Sequence, residues 1–288
     1  MSGWPPIADQ RTLRRLAMPG NEFEELAARL ARQIGGQRFV DAHYQRAISY
    51  PWSESFGSGG YRLRDGAVTP LDRLREDQLA RAFSSTDALN RTRYALLAFG
   101  SNRGSEVLAK KLAHLPPDQR ELIAVHGLLT GHAIGHSPHL AVYGSLPATL
   151  VPCADATAEV SLLMVTAEQL HALTWTEFNY LLARIDGERF QSDAVHQPPR
   201  KLFVYVSRHG HVVDPGGSPL RLIDSGQAEL LDRAAQHALE PTSSGRQLVR
   251  RTVESYEWAV TEAKPRLGEM SIPLDREAWD LHPGVRSE

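Results

Sequence analysis

The chain has a single cysteine, Cys153, among 288 residues. One thiol excludes an internal disulfide and fits a reducing compartment, so a cytoplasmic location is the expectation. An excess of charge of one sign is also missing. Lys and Arg number 32 against 34 Asp and Glu, a formal net charge of −2. That balance gives no bulk attraction to nucleic acid or to an anionic membrane surface. No uninterrupted apolar run approaches the length of a membrane span. The first residues, Met1-Ser2-Gly3-Trp4-Pro5-Pro6, lack the basic and then apolar order of a signal peptide. Internal repeats and low-complexity tracts are absent. What is left is 42% hydrophobic and 23% charged, the proportions of a globular chain long enough for one large domain or two small ones.

The most informative stretch runs from Tyr94 to Leu112. Tyr94 to Phe99 is an apolar run bounded by Arg93 and Gly100, which suits a fully buried strand. Gly100-Ser101-Asn102-Arg103-Gly104 breaks it with turn-forming polar residues. Val107, Leu108 and Leu112 then recur on one helical face. Strand, Gly/Ser/Asn loop and helix in that order can turn several backbone N–H groups into one concavity, a site for a carboxylate or a phosphate. Glycine matters there because a side chain would hold the backbone away from a ligand. The plain alternative is an ordinary buried strand ending in an ordinary turn.

Elsewhere the patterns are coarser. Residues 1–20 read as an arm. Phe23, Leu26, Leu30 and Ile34 predict a helix over 22–34, capped by Asn21 and stopped at Gly35-Gly36. Phe39 to Ile48 suits a helix, Ser49 to Gly60 a loop, and Tyr61 to Val68 a hairpin turning at Asp65-Gly66. A helix near Glu76 to Phe83 precedes a domain boundary at Ser84–Asp87. Strands are expected near 94–99, 123–129, 140–151, 158–165 and 202–206. Thr166 caps a helix over 167–173, and a second helical piece is expected from Trp175 to Ile185. Helices 227–239 and 245–263 follow, then a Pro-rich tail. The apolar stripes of helices 22–34 and 245–263 must be buried against the core or a second subunit of a homodimer. The organisation is therefore an N-terminal, mainly helical extension (1–90), a strand-rich core (91–225), and C-terminal helices and tail (226–288).

Three sets of residues could carry chemistry. Glu177 is flanked by Trp175, Phe178 and Tyr180. A carboxyl among aromatics tends to be desolvated, which suits general acid/base work. In such a place Glu177→Gln would leave stability level or higher. The alternative is a surface Glu on a helix. His132, His136 and His139 could bind metal only if a helix aligned them, and Gly131, Gly135 and Pro138 argue for strand or loop histidines instead. Cys153 has no catalytic signature around it and reads as a buried structural thiol. Gly57-Ser58-Gly59-Gly60 lacks the helix that a phosphate loop needs.

Ala98-Phe99-Gly100-Ser101-Asn102-Arg103 resembles the Tyr-Gly-Ser-Asn loop of the γ-glutamylcyclotransferase family, which sits between a strand and a helix. Tyr143-Gly144-Ser145-Leu146-Pro147-Ala148-Thr149-Leu150 is similar to that family's Gly-x-x-Ala-Thr segment, and 160–173 to its strand-then-helix unit. Glu177 then falls where the family places its catalytic glutamate. The resemblance covers about 92–210. It departs at Phe99, where a tyrosine is usual, and in strand 160–165, which lacks the family's glycine.

The resemblance implies an α+β fold: a small mixed closed or nearly closed β-barrel with flanking N- and C-terminal helices. Closure would remove exposed edges from short strands. It also implies a small-molecule γ-glutamyl substrate, with no metal or cofactor. The substrate's α-amine attacks its own γ-carbonyl, releasing 5-oxoproline and a free amine. Glu177 is the implied acid/base. Phe99, Gly100, Ser101, Asn102 and Arg103 are the implied contacts of the glutamyl group, with Tyr205 on a returning strand. The other reading is a non-catalytic member of the family that keeps the pocket as a ligand-binding or protein-interaction module.

Overall fold

A computed structural model describes residues 4–5, 12, 18–52, 59–75, 77–78, 91–195 and 198–283. The boundary expected at 84–87 and nearly all of the helix expected at 76–83 lie outside the described residues, as do residues 57 and 58. α1 (Gly20–Ile34) starts ahead of the expected Asn21 cap, and α2 (Asp41–Ile48) follows it. β1 (Gly60–Arg64) and β2 (Ala67–Pro70) form the expected hairpin. Its turn residues Asp65 and Gly66 both have positive φ, 49° and 79°, as a two-residue type I′ turn requires. β3 (Arg93–Ala98) leads into the Gly/Ser/Asn loop and α3 (Ser105–Leu112).

β4 (Leu122–His136) and β5 (Ala148–Thr166) make one long antiparallel hairpin. Shorter strands were expected here, near 123–129, 140–151 and 158–165, with Gly131, Gly135 and Pro152 lying between them. The structure absorbs these residues. Gly131 takes φ +74° at a shift of register between Thr130 and His132, the geometry of a β-bulge. A Cβ on Gly127 would lie 2.4 Å from the Gln191 carbonyl oxygen, so a glycine lets the chain cross closely there. The apolar run 140–143 is not a strand but part of the connection between β4 and β5.

α4 (Ala167–Thr176) follows β5, and then β6 (Tyr180–Asp186), β7 (Phe190–Gln191) and β8 (Lys201–Ser207). Residues 180–185 were expected to continue a helix. They form a strand because Leu181, Leu182 and Ala183 are all buried between β8 and β11 (Asp280–Leu281). β9 (His211–Val212) and β10 (Ser271–Ile272) pair separately.

Nine strands form one mixed sheet in the order β11-β6-β8-β3-β5-β4-β1-β2, with β7 on β4. Only β3 and β8 run parallel. The fold is mixed α/β, and the sheet is open: β2 and β11 close no ladder with each other. The expected closed barrel is therefore not formed. The long hairpin bends its far end back across the sheet, where Thr149 Oγ1 accepts from Ser207 N–H (3.0 Å) and Ala148 O accepts from Tyr180 Oη (2.8 Å). These side-chain bonds hold a curl without a strand ladder. The two edges left exposed are only four and two residues long, which limits edge-to-edge association.

A second core lies among helices. α5 (Gln227–Ala238) and α6 (Gly245–Glu254) pack Leu230, Leu231, Leu248 and Val249 against Ala47 of α2 and Leu140. The helix expected over 245–263 breaks at Ser255, whose φ of −151° is extended. The chain resumes as Tyr256–Trp258, a π-helix Ala259–Ala263, and Lys264–Gly268. Pro265 accounts for the wider turn, because it has no N–H to offer Thr261 and its ring crowds that carbonyl. Phe23, Ala27 and Ala31 of α1 are buried. Among the described residues no helix is long and apolar enough to cross a membrane.

Candidate functional site

The loop after β3 closes on itself. Arg103 N–H donates to Gly100 O and Gly104 N–H to Ser101 O, both at 3.0 Å. This single 3-10 turn, Ser101–Arg103, buries Asn102 and starts α3. The other half of the site is set by α4. Thr166 and Gln169 form a capping box at its start, and the Gln169 amide donates to Gln119 O and Glu121 O. Glu177 is its C-terminal cap, with φ −95° and ψ 52°, and is not within a longer helix.

Loop and cap meet. Lys111 Nζ donates to Glu177 Oε1 at 2.7 Å and to Asn102 Oδ1 at 2.8 Å. Asn102 Nδ2 donates to the same Glu177 oxygen at 3.1 Å. The three side chains form a closed triangle between residues 75 positions apart. Glu177 Oε2 has no partner among the described residues. The surroundings differ from those expected. The groups bonded to the carboxylate are an ammonium and an amide. The aromatic neighbours are turned to other tasks: Trp175 is half exposed, Phe178 stacks on Phe23 (4.5 Å), and Tyr180 bonds to Ala148.

The triangle lies in a cleft of about 690 Å³, lined by Phe99, Gly100, Ser101, Asn102, Glu177 and Tyr205. Six of the seven expected site residues are thus brought together. Tyr205 spends its hydroxyl on Thr174 Oγ1 (2.7 Å), so it offers the cleft its ring. Arg103 is the exception and does not line it. Its guanidinium lies on the other side, toward Glu159 and Tyr61, where burial lowers its pKa. The cleft walls come from the extensions: Ala27 and Leu30 of α1, and Ala259, Val260 and Lys264 of the π-helical region. Glu24 and Lys264 form an ion pair across them. Ile34, Val142 and Trp175, all exposed, stand on the rim.

Two contributors were not read from the sequence. Lys111 follows Val107 by one turn on the cleft side of α3, and a lysine interrupting an apolar helix face was the available signal. Tyr50 comes from a stretch read only as loop and reaches Ala148, 98 residues away; local pattern holds no sign of that. Burial raises the Tyr50 phenol pKa beyond the usual range, with the Ala148 N–H opposing and the Glu177 charge adding. Tyr143 is raised well above the usual value for the same first reason.

The histidines do not converge. His132 and His136 are on β4 and His139 follows it. No group of metal ligands occurs among the described residues. His139 Nδ1 bonds to Ser137 Oγ, which also bonds to Ser207 Oγ, both at 2.6 Å. Burial, aided by the Lys264 charge, holds His139 down at about 3. Cys153 is half-buried on β5, more accessible than expected.

Neither a scan against protein-family models nor a search of curated proteins finds a match to this chain.

Proposed function

We propose that the chain is a γ-glutamylcyclotransferase-type enzyme. The substrate class comes from the family resemblance of the loop and of Glu177, and the observation that supports the reading is the Asn102–Lys111–Glu177 triangle, which brings a carboxylate to the side of a Gly-Ser-Asn loop inside a cleft. Lys111 and Asn102 fix Oε1, leaving Oε2 to exchange a proton. Glu177 takes a proton from the α-ammonium of a bound γ-glutamyl compound. The freed amine nitrogen attacks the γ-carbonyl carbon, and the carbonyl electron pair moves onto oxygen. When that pair returns, the amide C–N bond breaks and Glu177 gives its proton to the leaving amine; the second proton left on the ring nitrogen follows through the freed carboxylate, so that a neutral lactam and a protonated amine leave. The products are 5-oxoproline and a free amine. Holding amine and carbonyl at attack distance supplies much of the acceleration, and donors at the loop stabilise the oxyanion.

A second reading, a non-catalytic ligand-binding module, is favoured by one observation: two donors already hold Glu177 Oε1. Release of 5-oxoproline from a panel of γ-glutamyl compounds tests both. The enzyme reading expects release by the wild type and a loss of about 10²–10⁴-fold in Glu177→Gln. Equal release by the two proteins, or none by the wild type, refutes it.

A further inference from the structure

The loop glycine has a particular neighbour. An ideal Cβ on Gly100 would lie 2.5 Å from the Tyr50 hydroxyl, so loop backbone and phenol approach more closely than any side chain at 100 would allow. The same oxygen accepts from Ala148 N–H at 2.9 Å, with the Ser101 backbone as a weaker second partner. Its acceptor capacity is thereby engaged. A phenol has one further group to use, its own proton, and among the described residues none accepts it.

The ring cannot swing aside easily. It is 6% exposed, edge-on to Trp52 (5.3 Å) and stacked with Tyr143 (6.1 Å). The helix before it is tied down where Ser145 Oγ donates to Ala47 O at 2.8 Å. Tyr50 lines the cleft that holds Glu177. Phe99 brings no hydroxyl of its own to this loop. Burial first, and the Glu177 charge to a smaller degree, keep the phenol protonated through neutral pH, so it stays a donor. A neutral donor fixed by backbone N–H groups, on a residue that lines the cleft with Glu177, suits an oxygen on which negative charge develops.

We propose that Tyr50 contacts the substrate, donating its hydroxyl hydrogen bond to the oxygen of the scissile γ-glutamyl carbonyl as that oxygen becomes an oxyanion. The inference rests on the cyclotransferase reading above. No proton is transferred; the bond strengthens as charge builds and relaxes when the amide C–N bond breaks.

The test compares wild type, Tyr50→Phe and a form carrying 3,5-difluorotyrosine at position 50, assayed for 5-oxoproline release with the γ-glutamyl panel. The phenyl ring of Tyr50→Phe keeps the core filled. Its kcat should fall about 10²-fold, the typical cost of one oxyanion donor, with KM little changed. The fluorinated protein keeps the hydroxyl but loses its proton at lower pH, so the alkaline limb of kcat should move to lower pH. A Tyr50→Phe kcat within twofold of wild type overturns the proposal, as does a loss confined to KM. If Tyr50→Phe fails to fold, the fluorinated form decides: a shifted alkaline limb supports the donor, and an unmoved one overturns it. A wild type that releases no 5-oxoproline from any compound overturns the enzyme reading and the donor with it. Wild-type turnover that ignores Tyr50 overturns the donor alone.

Discussion

Glu177→Gln should weaken the fold as well as turnover. A carboxyl packed among aromatics would gain stability on becoming an amide, but the ion pair with Lys111 reverses that sign. The charges lie 2.7 Å apart on side chains 13% and 18% exposed. Exposed pairs contribute up to about 1 kcal/mol, whereas removing one partner of a buried pair costs about 3–5 kcal/mol. This pair falls between, so Glu177→Gln should lose about 2 kcal/mol. Lys111 keeps Asn102 Oδ1 as an acceptor at 2.8 Å, which limits the damage. Lys111→Met should cost a similar amount, leaving the carboxylate with one amide donor. In the double variant the losses should fall short of additivity by roughly the same 2 kcal/mol. Urea denaturation of the four proteins at pH 7 gives the cycle. A Glu177→Gln protein as stable as wild type, or a strictly additive double variant, would show that the pair contributes nothing.

Acid should act early. Burial holds His139 at about 3 and His136 at about 4, against about 6.5 in the unfolded chain. Between those values the unfolded state binds more protons, so stability is full above about pH 6.5 and is lost as pH falls toward 4 and then 3. Each histidine contributes a slope of at most about 1.4 kcal/mol per pH unit. Melting temperatures that stay flat from pH 7 to 5 would contradict neutral burial. Phe23→Ala removes a ring that stacks on Phe178 and lies under the Arg208 guanidinium at 3.9 Å. Thermal melts should show a loss of about 3–4 kcal/mol, and kcat should fall because Phe178 adjoins Glu177. Unchanged stability would mean that α1 contributes nothing to the core.

Local patterns were legible and long-range pairings were not. The Asp65-Gly66 turn, the buried run Ala95–Ala98 and the Thr166 cap each carry their own chemistry, and each forms as expected. That the Ser101–Asn102 loop and Glu177 share a cleft was implied only by the family resemblance, and the structure brings them together. What failed was decided by distant neighbours. Leu181 to Ala183 suit a buried helix or a buried strand equally, and β8 and β11 decide for the strand. The strand expected at 123–129 runs on to His136 because β5 pairs with it along that length. Arg103 looks like a loop donor, yet the turn that buries Asn102 sends it to the opposite side. Lys111 is invisible as a partner of Glu177 until α3 and the end of α4 are brought together.

The Glu24–Lys264 ion pair joins helices 240 residues apart in the chain, and this orders events on the ribosome. Glu177 is synthesised 87 residues before Lys264 (264 − 177). At about 5–20 residues per second that is an interval of roughly 4–17 s. Through that interval the nascent protein can hold β3, the loop and Glu177, but not the wall formed by Ala259, Val260 and Lys264. α1 waits with Phe23, Ala27 and Ala31 uncovered on that side. Glu177 and Lys111 are thus translated before that wall exists, and the cleft gains its full lining only once the residues through Lys264 have been made.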